Sequence, residues 1–225
     1  MAMNEYHKIN SIFKRDQKGQ MQFGHYSDPV FEYLKNNKWV GTEKVDGTNI
    51  RVIWNGESVS FGGKTDAASI PAPLVNRLNE LFKTNECAEK FAAKFGEYSI
   101  CLYGEGYGAR IQKGGGLYKK DGQDFVLFDI KIGHNWLERE DVVNLGEYFN
   151  IGIVPTVGCY ALDDAIQHVN GGLKSAWGDF NAEGLVLRPQ VELKNGRGLR
   201  VITKIKHRDF AVIKRDLTSQ LLANH

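Results

Sequence analysis

The chain has 225 residues, of which 42% are hydrophobic and 25% charged, and its net charge is +2. This fits one large domain or two small ones with a substantial core. No apolar stretch approaches the roughly 20 residues that span a bilayer, and the N-terminal segment MAMNEYHKINSIFKRDQ lacks the apolar stretch of a signal peptide.

Asp28-Pro29 reads as a helix start, with Asp as the cap and Pro in the first turn before VFEYLKNN. Trp39 to Glu43 reads as a short strand running into Lys44. TNIRVIW and ESVSFG flank Asn55-Gly56, a strong hairpin signal. Residues 73–95 have helical periodicity, with a break near Thr84-Asn85 that suggests two helices. SICLYGE and FVLFDIKI read as strands, and Asn135 to Phe149 and Leu162 to Val169 as helices. EGLVLRP and LRVITKIK are again strands, and the tail from Asp209 to Leu222 reads as helical. Strands and helices mix without regular β-α-β alternation. The expected class is α+β, with helices packed around one or two mostly antiparallel sheets.

Cys87, Cys101 and Cys159 are few, odd in number and far apart. They suggest reduced thiols in a cytoplasmic protein rather than a disulfide scaffold. From Lys194 to Arg215 there are eight cations: Lys194, Arg197, Arg200, Lys204, Lys206, Arg208, Lys214 and Arg215, with Asp209 the one acid among them. This run is either a solvated basic surface or a phosphate-facing strand and helix. Between Gly106 and Lys120, Arg110, Lys113, Lys119 and Lys120 stand among glycines. This segment reads equally as a cationic flap or as a surface loop.

Several motifs are excluded. Gly63-Lys64-Thr65 looks like the end of a P-loop, but Ser58 stands where the motif needs its first glycine. Gly104, Gly106 and Gly108 lack the spacing and following helix of a dinucleotide fingerprint. No His or Cys pair has metal-ligand spacing, and no G-x-S-x-G elbow is present.

What remains is Lys44-Val45-Asp46-Gly47-Thr48-Asn49, placed between a strand and a hairpin. Alone, Asp-Gly is a common turn. In chain order it is followed by Tyr103-Gly104-Glu105, by Phe125 to Asp129, by Glu183 to Arg188, and by Lys204-Ile205-Lys206. As an ordered set these resemble the motifs of covalent nucleotidyltransferases, the superfamily of ATP-dependent RNA and DNA ligases and mRNA capping enzymes. Within it, E-K-x-x-G-T-N, with Glu43 before Lys44 and Asn49 after it, resembles the RNA ligase 2-like branch. DNA ligases and capping enzymes usually carry Arg where Asn49 stands.

The resemblance implies a nucleotidyltransferase adenylation domain, ATP-grasp-like, with ATP and Mg²⁺ or Mn²⁺ as cofactors. It implies that Lys44 takes up AMP, that Glu105 binds the ribose, and that Phe128 stacks on the adenine. Glu183 would serve the metal, and Lys204 and Lys206 would contact the phosphate and assist catalysis. Glu43 and Asn49 join the nucleotide-binding set. Lys64 stands where these ligases often have a phosphate-binding Arg, a point charge in place of a fork.

The implied reaction joins 5′-phosphate and 3′-hydroxyl ends, on RNA in the first reading and on a DNA nick in the alternative. A non-catalytic nucleic-acid-binding module on the same fold is the alternative of another class. Because 19 residues follow Lys206, the expectation is a single domain over residues 1–225 without a C-terminal OB or helical domain, with a protein partner as one source of the missing part. No membrane partner is expected.

The chemistry explains the residue types. Attack on phosphorus needs a neutral amine, and at a reference pKa near 10.4 only about one Lys in 2,500 is neutral at pH 7. Burial and nearby cations lower that barrier. Lys204 and Lys206 alternate with Ile205, so on a strand both point to one face and can stabilise charge on a phosphate. Glu183 shares the parity of Leu185 and Leu187, and a carboxylate on an apolar face needs a partner. That partner is a metal or, alternatively, a salt bridge to Arg188 or a nearby lysine.

Overall fold

A computed structural model of the chain describes residues 5–210. In chain order, β1 (Asn10–Ser11), β2 (Phe13–Arg15) and β3 (Met21–Tyr26) precede α1 (Pro29–Tyr33) and β4 (Trp39–Lys44). Next come β5 (Thr48–Trp54), β6 (Val59–Gly62), α2 (Ala72–Phe82), α3 (Asn85–Phe95) and β7 (Ile100–Gly108). They are followed by α4 (Gly115–Tyr118), β8 (Gln123–Ile132), β9 (Asn135–Trp136), α5 (Arg139–Tyr148) and β10 (Gly152–Ile153). The last are β11 (Thr156–Tyr160), α6 (Leu162–Asn170), β12 (Gly184–Pro189) and β13 (Thr203–Lys206). The class is α+β with mostly antiparallel sheets. No helix among the described residues is long and apolar enough to cross a membrane.

The described residues form two compact units, one of residues 5–7 with Val45–Val154 and one of Lys8–Lys44 with residues 155–210. The first, called here the hairpin unit, is built on a sheet with strand order β10-β8-β7-β5-β6, with β9 paired to β8. Only its β10–β8 pairing is parallel. Strand alternation on β5 sends Ile50, Val52 and Trp54 into the core, where they meet Leu74, Leu78 and Phe82 of α2 and Phe91 of α3. Thr84 caps α3 by accepting from the Cys87 amide, which explains the break between the two helices.

The second, called here the lysine unit, carries a sheet with order β1-β13-β12-β4-β11 and a small β2–β3 ribbon. Asp28 caps α1, accepting from the Val30 amide, with Pro29 in the first turn. The core gathers Trp39, Leu185, Leu187 and Ile205 from the sheet with Leu162, Ala165 and Val169 from α6. The indole of Trp39 is satisfied in that core by the Leu34 carbonyl at 2.9 Å.

The structure departs from the sequence reading in a few places. The helix expected from Asn135 begins at Arg139, because Asn135 and Trp136 pair back onto Ile132 and Lys131 around Gly133, whose φ is +56°. The strand expected from Leu199 begins at Thr203, and Arg200 makes an isolated bridge to Lys194. A helical turn starts at residues 208–210, while the rest of the expected tail helix, with Lys214 and Arg215, lies outside the described residues.

Candidate active site

In the lysine unit, β12 lies between β4 and β13, and the register places Gly184 opposite Lys44 on one side and Lys206 on the other. Side-by-side residues in a sheet share a face. The two lysines therefore flank a position that carries no side chain. The gap is obligatory, because a Cβ at Gly184 would lie 1.9 Å from the Ile205 carbonyl oxygen. Glu183, one residue before the strand, fills the space between them. Its Oε2 accepts from Lys44 Nζ at 2.5 Å and its Oε1 from Lys206 Nζ at 2.6 Å.

The Glu183 side chain is 10% exposed. Burial pushes its carboxyl up, but the charges and hydrogen bonds of Lys44 and Lys206 outweigh burial and hold it below the usual carboxylate range. Expected parity with Leu185 and Leu187 does not hold. Those two are in the core, whereas Glu183 precedes the strand and turns to the lysines. The salt bridge named as the alternative is thus present, to Lys44 and Lys206. Lys204 stands two residues before Lys206, with Val186 beside it, and so projects on the same face.

Glu43 precedes Lys44 on β4 and points to the other face, opposite Leu185. It is 2% exposed. Both its oxygens are bonded, Oε1 by the Ser175 hydroxyl at 2.6 Å and Oε2 by the Ala176 amide at 2.8 Å. Burial raises its carboxyl, and those two hydrogen bonds counter only part of the rise. Glu43 thus anchors the segment that leads from α6 to Glu183. Ser175 is a site-supporting residue that no local sequence signal marks.

In the hairpin unit, Asn49 on β5 pairs with Glu105 on β7. Asn49 Oδ1 is buried without a hydrogen-bond partner among the described residues, an unsatisfied acceptor that calls for a physical reason. Gly47 packs against the same strand, where a Cβ would meet the Gly106 carbonyl oxygen at 2.2 Å and Glu105 Cγ at 2.8 Å. Phe128 sits at a register shift. Tyr103 pairs with Asp129 and Gly104 with Leu127, so Phe128 is the extra residue of a bulge. Its ring and that of Tyr103 each meet Tyr6 with centroids 5.1 Å apart, while the Tyr6 hydroxyl donates to Asp129 Oδ2 at 2.8 Å. Phe125, by contrast, is core. Tyr6 and Trp136 belong to this aromatic cluster, and sequence reading missed both.

Lys64 is exposed in the turn after β6. The glycine-rich segment after β7 contains α4 and is tied to the turn at Gly47. Gln112 Nε2 donates to the Gly47 carbonyl at 3.1 Å, and the Asp46 amide donates to the Tyr118 hydroxyl at 3.3 Å. Arg110 and Gln112 hold φ values of 66° and 61°, left-handed conformations that non-glycine residues adopt at a cost. Lys119 joins Arg77 on Asp124, at 2.7 and 2.9 Å. Within the basic run of the lysine unit, Lys194, Arg197 and Arg208 are exposed, while Arg200 is buried in a two-pronged pair with Glu192 at 2.6 and 3.0 Å.

No three His, Cys, Asp or Glu side chains gather as a metal site among the described residues. The hard oxygen donor beside Lys44 is the Glu183 carboxylate. That donor set fits a Mg²⁺ or Mn²⁺ that takes most of its ligands from nucleotide phosphates and water, with one protein carboxylate, and not an all-protein cage.

Solved structures with this fold include RNA ligases of Naegleria gruberi. An unliganded mutant form aligns with a TM-score of 0.63 at 21% identity, over 83% of this chain and 54% of that one. The form with PPi aligns with a TM-score of 0.62 at 22% identity, over 94% and 64%. A mutant with ATP and Mn aligns with a TM-score of 0.60 at 22% identity, over 88% and 61%. This chain thus spans about half to two-thirds of the length of the structures it resembles. No curated protein matches it in sequence. The RNA ligase family model matches residues 37–206, which include Lys44, Glu105, Phe128, Glu183 and Lys206, and the chain belongs to that family.

Proposed function

We propose that this chain is an ATP-dependent RNA ligase that joins 5′-phosphate and 3′-hydroxyl ends through a lysyl-AMP intermediate on Lys44. The observation that carries the reading is the row Lys44–Gly184–Lys206 with Glu183 between the two ammonium groups. A lysine placed for structure alone needs no second lysine and no forced glycine beside it.

In the first step the Lys44 nitrogen forms a bond to the α-phosphorus of ATP, the bond to pyrophosphate breaks, and the amine loses a proton. An ammonium group is no nucleophile, so the ion pair with Glu183 is a resting arrangement that must open before attack. Lys204 and Lys206, on the face of Lys44, stabilise the charge gathering on the phosphate oxygens. Glu183 would hold a divalent cation, which would supply further neutralisation of the phosphates. Asn49, Glu105 and Phe128 hold the nucleoside. AMP then passes to a 5′-phosphate, and a 3′-hydroxyl displaces it to close the strand.

Nucleic acid is the proposed partner, gripped by exposed Lys194, Arg197 and Arg208. The two compact units serve one adenylation domain in this reading. The protein is cytoplasmic, and a second protein supplies any further grip on the polynucleotide. The test is incubation with ATP and Mg²⁺ followed by intact mass. A gain of one AMP is expected with ATP and none with GTP. Sealing is then compared on RNA and DNA 3′-ends in parallel. An absent adduct, or a clear preference for DNA ends, overturns the reading.

A further inference from the structure

Arg51 carries a full charge in the middle of β5, yet it is 1% exposed. Its neighbours Ile50 and Val52 face the core, so Arg51 points to the opposite face, the one that bears Asn49 two residues earlier. There it meets the turn after β6. Arg51 Nε donates to the Gly63 carbonyl at 2.9 Å, and Nη2 to Asp66 Oδ1 at 2.6 Å. The two bonds bracket Lys64 and Thr65.

The turn is shaped around this guanidinium. A Cβ at Gly62 would stand 2.8 Å from Arg51 Nη2, and one at Gly63 would stand 2.9 Å from the Ala68 Cβ. The Thr65 carbonyl accepts from the Ala68 amide at 3.1 Å, and the Asp66 amide donates to Glu5 Oε1 at 3.3 Å. Burying a guanidinium costs free energy that an apolar side chain would not. Asp66, its charge partner in the turn, is 82% exposed, where water screens the attraction. Strength of this ion pair is therefore a poor reason for its presence. Geometry is a better one, because a planar fork with fixed donors fixes two points of a turn at once.

We infer that Arg51 is a positioning residue for Lys64: its buried fork fixes the 62–66 turn so that the Lys64 ammonium is presented to a phosphate. The inference rests on the proposed ligase function and, within it, on Lys64 as the phosphate contact that the family resemblance implies. It also gives the point charge at that position a reason to work. A lysine has a flexible stem and no fork of its own, and its backbone is held instead.

The test is a double-mutant cycle in the full chain, with Asp66→Ala at the exposed end of the strut, Lys64→Ala, and the two combined. Arg51→Lys, which keeps the charge and loses the fork, is a further single variant. Two arms separate the sources of phosphate. One measures kcat and KM for ATP in formation of the AMP adduct. The other measures kcat and KM for 5′-phosphate RNA when AMP is transferred from preformed enzyme–AMP. Lys64→Ala is expected to raise KM in one arm by about fivefold or more, and Asp66→Ala and Arg51→Lys the same KM by about two- to fivefold, the loss of one charge-assisted bond. The combined variant is expected to be no worse than Lys64→Ala alone, whereas a loss of thermal stability from Asp66→Ala persists in both backgrounds. If the Asp66→Ala effect survives undiminished beside Lys64→Ala, or falls on kcat with KM unmoved, Arg51 does not act through Lys64. If Lys64→Ala moves neither arm, the phosphate reading of Lys64 fails and the proposal with it. A wild-type protein that forms no adduct instead overturns the ligase reading, a separate and earlier failure.

Discussion

Lys44 Nζ lies 2.5 Å from Glu183 Oε2, and the other oxygen of the same carboxylate holds Lys206. Residues 139 positions apart in sequence thus meet in a charge triad, with Lys44 on β4, Lys206 on β13 and Glu183 just before β12, two positive charges and one negative. A net positive cluster of this kind attracts an anion, and in the proposed function that anion is a nucleotide phosphate.

Lys44→Arg keeps the charge, and the side chain can still reach Glu183, but a guanidinium stays protonated and cannot attack phosphorus. Adduct formation with ATP is expected to fall by at least about 100-fold, with the melting temperature close to wild type. Intact mass after incubation with ATP and Mg²⁺ checks this. An adduct at the wild-type rate would move the nucleophile elsewhere.

Glu183→Gln leaves the shape and removes the charge. Adenylylation is expected to drop by about 10- to 100-fold, with a higher Mg²⁺ requirement. The stability effect has a definite pH sign. The folded-state pKa of Glu183 is lowered, so its contribution is present above the ordinary carboxylate value and is lost as pH falls through the folded value. The difference in urea midpoint between wild type and Glu183→Gln is therefore expected to be full at pH 7 and to shrink below about pH 4. A difference that grows on acidification would contradict the ion-pair account.

Much of this triad was legible in the sequence because its motifs are local. The alternation of Lys204-Ile205-Lys206 predicts a shared lysine face, and β13 supplies it. Strand β4 and the β5–β6 hairpin were likewise readable, since tight turns and alternation are short-range signals. The strands β1, β2, β3, β10 and β11 were not anticipated. β1, β2 and β10 have two or three residues and carry no periodicity, β3 is interrupted by Gly24 and β11 by a register shift at Val157, and partners such as Thr203 for Asn10 lie far along the chain. The same limit hid Ser175, Tyr6 and the role of Arg51. Glu183 was misjudged in its facing, because alternation was extended one residue past the end of a strand.

Glu43 tests the opposite electrostatic case. Its folded-state pKa is raised, chiefly by burial, so the folded state becomes less stable as pH rises through that value. Glu43→Gln stays neutral and can still accept from the Ala176 amide while its amide donates to Ser175. It is expected to remain within about 1 kcal/mol of wild type at pH 5 and to gain relative stability toward pH 8. Glu43→Ala leaves the Ser175 hydroxyl and the Ala176 amide without their acceptor, at a cost of about 2–3 kcal/mol. Denaturant unfolding at both pH values separates the two. A Gln variant that loses ground toward pH 8 would show that the buried carboxylate is favourable when ionised.

The turn at Gly47 gives the most demanding test of close packing. A Cβ there would stand 2.2 Å from the Gly106 carbonyl oxygen, and Gly106 is the ladder partner of Thr48. The carbonyl cannot retreat without breaking the β5–β7 pairing, so Gly47→Ala must displace the turn itself. The Gln112 amide that holds the Gly47 carbonyl at 3.1 Å would be displaced with it. Gly47→Ala is expected to cut adenylylation by about 100-fold or more, since misplacement of a reacting group by about 1 Å costs on that order. Loss of stability should be limited to about 1–3 kcal/mol. Gln112→Ala removes one hydrogen bond and leaves the left-handed backbone in place, so a smaller loss, about 1 kcal/mol, is expected. Gly116→Ala is the control, because a Cβ at Gly116 meets nothing within 4 Å and alanine suits a helical position. Rates of AMP-adduct formation and melting temperatures should rank Gly116→Ala nearest wild type, Gln112→Ala next and Gly47→Ala last. If Gly47→Ala forms the adduct as fast as Gly116→Ala, close approach of the turn to β7 is not what orders the nucleophile.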